Sequence, residues 1–105
     1  MAAYSRPGYV ATVRQALASL IPLFMENRQL DVQTLRVALA KHDLATVRRV
    51  GHNLAGMGST FGFPAITDCG RSLERAAKAS DAAELSRLIS VLEDYIARVE
   101  IRYIP

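Results

Sequence analysis

The chain has 105 residues, 13 basic against 10 acidic side chains for a formal charge of +3, half its residues hydrophobic, one cysteine and two histidines. That length suits one domain with a sizeable core. A lone Cys69 excludes an intrachain disulfide framework, and one Cys with two His cannot fill a tetrahedral zinc site without carboxylates. The cations are scattered, with only Arg48 and Arg49 adjacent, so no phosphate-tracking basic run is present and nucleic acid is not an expected partner. No apolar stretch approaches the ~20 residues of a membrane span, and the first ten residues lack the apolar centre of a signal peptide; the expected location is the cytoplasm.

Along the chain the periodicity is helical throughout. Tyr4 to Val13 forms a lead-in, with a turn expected at Pro7-Gly8 and strand-forming residues at Tyr9, Val10, Thr12 and Val13. A short helix is expected over Arg14 to Leu20. Pro22 suits the first turn of the next helix, about Pro22 to Lys41, whose stripe Ile21, Phe24, Val32, Leu35, Leu39 is interrupted by Arg28. His42-Asp43 is a short connection, with His42 assisting a helix C-terminus and Asp43 as N-cap. The third helix carries Val47, Val50, Leu54, Met57 and Phe61 at spacings of 3 and 4.

Gly62 fits a C′ position and Pro64 the start of the fourth helix, with its stripe Ile66, Cys69, Leu73, Ala76, Ala77. In this pattern Cys69 reads as a buried small hydrophobe. Asp81 with Glu84 reads as a capping box for the fifth helix, which carries Leu85, Leu88, Leu92, Ile96 and Val99. Short connections make sequential helices antiparallel neighbours. The expected fold is all-α: an up-and-down antiparallel four-helix bundle with a short extra N-terminal helix. Its core spans about 20–98 and residues 1–13 and 99–105 form terminal segments. Alternation at Val99, Ile101, Tyr103 predicts that this tail pairs with Tyr9 to Val13 as a two-stranded ribbon.

The third helix holds Gly51, Gly56 and Gly58, each costing about 1 kcal/mol relative to Ala, and these need a reason. With Leu54 at the centre of the core stripe and ~100° per residue, His52 falls at roughly 160°, Ser59 near 140°, Arg48 near 120°, Gly56 near 200° and Arg49 near 220°. His52 therefore stands on the solvent face in mid-helix, with the bare Gly56 one turn beyond and two cations one turn before. Gly58, near 40°, permits close helix approach. Neutral imidazole is a competent nucleophile near pH 7. A phosphoryl group on it would need cations, because His52 is too far inside the helix for the N-terminal dipole to act. Taken singly, a solvent-facing His is ordinarily just a surface residue, and Glu74, Arg75 and Arg71 read as a solvated face.

The segment His52-Asn53-Leu54-Ala55-Gly56-Met57-Gly58-Ser59-Thr60-Phe61-Gly62 resembles the signature of histidine-containing phosphotransfer (HPt) domains: a His, an apolar residue two on, Lys-Gly three and four on, and Gly ten on. Leu54, Gly56 and Gly62 match in place, and Phe63-Pro64 followed by Cys69 to Leu73-Glu74 is similar to the family's next helix. The resemblance covers roughly Leu20 to Tyr95. It implies a phosphorelay carrier without kinase activity of its own. Nε2 of His52 would accept a phosphoryl group from a receiver-domain aspartyl phosphate and pass it to another receiver's aspartate. The implied partners are response-regulator receiver domains and a hybrid histidine kinase, with Mg²⁺ held by the receiver and no cofactor or metal on this chain, which is expected to be a monomer.

Gly56, Ala55 and Ser59 would form the docking surface, with Gly58 and Gly62 structural. One position departs: Ala55 stands where the family has Lys, so Arg48 or Arg49 is expected to supply the cation. The alternative is an adaptor that binds receivers without being phosphorylated. A metal or hydrolase site fails for want of a spacing such as H-E-x-x-H. A start at Met1 is expected for a small stand-alone chain.

Overall fold

The computed structural model describes residues 9–105. The turn expected at Pro7-Gly8 lies outside them. Strand β1 (Val10–Arg14) leads through a 3-10 helix (Gln15–Leu20) into α1 (Ile21–Ala40). Helix α2 (Leu44–Met57), a 3-10 turn (Ser59–Phe61), α3 (Pro64–Lys78), α4 (Ala82–Arg98) and strand β2 (Glu100–Ile104) follow. Each helix packs on its sequence neighbours and α1 closes the ring against α4, which is the expected four-helix bundle. The extra N-terminal helix is present in 3-10 form.

The helix ends follow from local chemistry. The Asp43 carboxylate accepts the Thr46 amide at 3.1 Å and the Thr46 hydroxyl at 2.6 Å, capping α2. Asp81 caps α4 by accepting the Glu84 amide at 3.1 Å. The expected capping box is only half formed, because the Glu84 carboxylate turns outward and takes both Arg87 donors at 2.8 and 2.7 Å. Helix α1 ends in a Schellman turn. The His42 amide donates to the Leu39 carbonyl at 3.0 Å and the Asp43 amide to the Ala38 carbonyl at 2.8 Å, with His42 at φ 57°. Ser80, at φ 53°, plays the same part after α3.

The core is built from Leu35, Leu54, Phe63, Ile66, Leu73, Leu85, Ile89 and Leu92, all essentially inaccessible. Arg28 does not interrupt the α1 stripe as the periodicity suggested. Its side chain is tucked in, with Nε donating to Asp31 at 2.8 Å and the guanidinium 4.6 Å over the Phe24 ring. Phe24 in turn stacks on Phe61 at 4.6 Å and Phe63 at 5.2 Å. Cys69 is half-buried, and burial pushes its thiol up to about 11.

The terminal ribbon forms one residue later than expected. β1 and β2 pair in parallel, Val10 opposite Glu100 and Arg14 opposite Ile104. Parallel strands need a long connection, here the whole bundle. Ala11 and Val13 face the core, and Tyr9 meets Tyr95 edge-on at 5.2 Å.

Candidate functional site

The third expected helix was read as running through Phe61, but α2 stops at Met57. An unbroken α-helix would bond the Ser59 amide to the Ala55 carbonyl. The buried hydroxyl of Thr67, on α3, enters that rung. It accepts the Ser59 amide at 2.8 Å and donates to the Ala55 carbonyl at 3.0 Å. A group inserted into the helical ladder breaks it there. Gly58 makes room: a Cβ on it would lie 2.5 Å from the Thr67 nitrogen. Gly62 then closes the 3-10 turn at φ 97°, and a Cβ there would stand 2.8 Å from the Thr12 carbonyl.

Upstream of this break, α2 and α3 touch backbone to backbone. A Cβ on Gly70 would come 2.5 Å from the Gly51 carbonyl oxygen and 2.5 Å from the Ala55 nitrogen. A Cβ on Gly51 would meet the Gly70 oxygen at 2.9 Å and the Glu74 nitrogen at 3.2 Å. Glu74 is thereby carried to the side of the residue after Gly51, which is His52.

His52 projects from the middle of α2 with 77% of its side chain exposed. Its Nδ1 lies 3.2 Å from Oε2 of Glu74, whose side chain is largely covered. With Glu74 ionised the carboxylate can only accept, so Nδ1 carries the proton and donates. Nε2 makes no hydrogen bond among the described residues, and in that tautomer it holds a lone pair. Arg48 and Arg49, with Ala45, complete the wall of an open concavity of about 360 Å³ around His52 and Glu74. Neither guanidinium makes an ion pair or hydrogen bond among the described residues.

The flank on the other side of His52 is bare: Gly56 is exposed, and a Cβ on it would meet nothing within 4 Å. Ala55 is half-buried with its carbonyl taken by Thr67, and Ser59 is exposed with its hydroxyl 3.2 Å from that of Thr67.

The structure thus brings together His52, Arg48 and Arg49 in one concavity, with Gly56 one turn along the same helix. Helical arithmetic missed Glu74, read as a solvated face, and it missed Thr67. Gly51 and Gly70 carry a signal that could have found both. Each lies on the buried side of its own helix, where a glycine permits close approach of a neighbour.

The Hpt domain profile matches residues 19–101. The chain belongs to the Hpt domain family. Hpt domains are phosphocarriers of two-component phosphorelays that interact with receiver domains and histidine kinases. Neither the curated proteins nor the solved structures gave a match. No helix of this Hpt domain, among the described residues, is long and apolar enough to cross a membrane.

Proposed function

We propose that this Hpt domain carries a phosphoryl group on His52, taking it from an aspartyl phosphate of one receiver domain and delivering it to the aspartate of another. The observation that carries this reading is an imidazole in mid-helix, 77% exposed, beside two guanidinium groups and a glycine with open space above it. Nε2 attacks phosphorus as the acyl phosphate O–P bond breaks and the receiver's carboxylate departs with the electron pair. Phosphoryl transfer asks of the protein chiefly positioning and charge neutralisation. Arg48 and Arg49 neutralise the phosphoryl oxygens in place of the absent lysine at Ala55. Gly56, Ala55 and Ser59 admit the receiver backbone, and Gly58 and Gly62 hold the end of α2 in shape.

Exposed Leu23, Leu30 and Val37, seven residues apart on α1, add an apolar strip beside α2 for the same partner. Mg²⁺ is held by the receiver's carboxylates. The domain has no kinase activity of its own and works as a cytoplasmic monomer.

The test is transfer from a phosphorylated receiver. Wild type acquires an acid-labile, alkali-stable label, and His52→Gln acquires none. Arg48→Ala and Arg49→Ala slow uptake, each by about tenfold for loss of one charge-assisted contact; Ala55→Lys speeds it. If both arginine variants match wild type in rate and in phosphohistidine lifetime, their assigned role is wrong.

Ala55 supports a second reading, an adaptor that docks on receivers without taking phosphate. Receiver binding with no label on wild type establishes that reading instead.

A further inference from the structure

We infer that Glu74 is a positioning residue for phosphoryl transfer at His52, and that the Gly51–Gly70 contact sets its distance. This rests on His52 being the phosphoacceptor. Three observations converge on it.

The first is the hydrogen bond itself. The Glu74 carboxylate holds Nδ1 at 3.2 Å although two unpaired guanidinium groups line the same concavity. An imidazole in water exchanges its proton between the two nitrogens. A carboxylate fixed at Nδ1 selects the tautomer whose lone pair is on Nε2, and it restrains rotation of a ring that is otherwise mostly in solvent.

The second is charge. Neutral imidazole attacks through Nε2, the Nε2–P bond forms, and the O–P bond of the donor breaks with its electron pair leaving on the donor oxygen. Nδ1 keeps its proton throughout, so the ring ends the step as a cation. An anion already beside Nδ1 stabilises that charge as it develops and loses nothing to reorganisation. The same cation is a good leaving group for the onward step, so Glu74 acts on both directions of transfer.

The third is how the carboxylate is held. The two helices touch through glycine backbone at Gly51 and Gly70, so the Glu74 nitrogen would lie only 3.2 Å from a Gly51 Cβ. Its side chain is 26% exposed against 77% for His52. The rigid member of the pair is the glutamate, and it orients the mobile one.

The experiment uses the full chain, ¹⁵N-labelled, with phosphoramidate as a small phosphodonor that needs no docking surface. In wild type at pH 8 the ring nitrogens of His52 report the Nδ1–H tautomer. In Glu74→Ala they report a mixture, and phosphoryl uptake at His52 falls about tenfold, the loss expected for one partly solvated charge-assisted hydrogen bond. Glu74→Gln keeps the tautomer, since an amide oxygen still accepts, but lacks the charge, and its rate falls between the two. His42 in the same spectra is the internal reference and does not change. Identical tautomer populations in wild type and Glu74→Ala overturn the inference, as do equal uptake rates in the two proteins. Uptake on wild-type His52 with equal rates removes the role of Glu74 alone. Absence of any label on wild-type His52 removes the phosphoacceptor reading, and the role of Glu74 with it.

Discussion

Gly51 and Gly70 meet backbone to backbone across α2 and α3, so closely that a Cβ on Gly70 would stand 2.5 Å from the Gly51 oxygen. Ordinarily Gly→Ala inside a helix gains about 1 kcal/mol. Here overpacking reverses the sign. Gly70→Ala is expected to cost about 2–3 kcal/mol net, with Gly51→Ala milder because its tightest contact would be 2.9 Å. Urea unfolding midpoints check this. A gain in stability in either variant would show that the helices are free to separate.

Thr67 holds the end of α2 through a donated and an accepted hydrogen bond at Ala55 and Ser59. Thr67→Val keeps the shape and removes both. The expected cost is about 1–3 kcal/mol, the price of leaving part-buried backbone groups without partners. Amide hydrogen exchange localises the effect: Ser59 exchanges faster in the variant while α4 amides change only with global stability. Unchanged Ser59 protection would mean that the direct Ser59–Ala55 rung re-forms.

His42 and Ser80 occupy the left-handed C′ positions that follow α1 and α3, at φ 57° and 53°. Glycine adopts that conformation without a Cβ penalty. His42→Gly and Ser80→Gly are each expected to stabilise the fold by about 0.5–1 kcal/mol. They should be additive, because the two turns share no contact partners. Thermal unfolding of the singles and the double checks both statements, and His42→Gly should leave phosphoryl transfer unaltered.

The Asp43 carboxyl is held below its ordinary value by the Thr46 hydroxyl and then by the Thr46 amide, with smaller help from Arg49 and Lys41. A depressed folded-state value contributes stability above the unfolded carboxylate range, and that contribution is lost as pH falls through the folded value. Wild type should therefore exceed Asp43→Asn by a constant margin from pH 7 down to about pH 5, and the two should converge below about pH 4. Asparagine keeps the cap but does not titrate. Parallel unfolding curves for the two proteins at every pH would sink the prediction.

Much of the fold was legible in single-helix arithmetic. The 3-and-4 spacing of Val47, Val50, Leu54 and Met57 both buries one face of α2 and puts His52 opposite it, so an exposed imidazole beside Gly56 follows from the sequence alone. Asp43, Asp81, Pro64 and Gly62 announce the breaks because capping and left-handed turns are local chemistry. Whatever depends on how deeply two helices approach was decided only in the folded molecule. Periodicity says which face is buried but not against which rung of a neighbour. The depth of the α2–α3 contact at Gly51 and Gly70 brings Thr67 into the ladder at Ala55 and Glu74 to Nδ1 of His52. The same limit explains Arg28, whose charge reads as a break in a stripe until Asp31 and the Phe24 ring are seen to receive it. The sequence by itself determined the helices and the exposed histidine; the tertiary structure chose that histidine's partner.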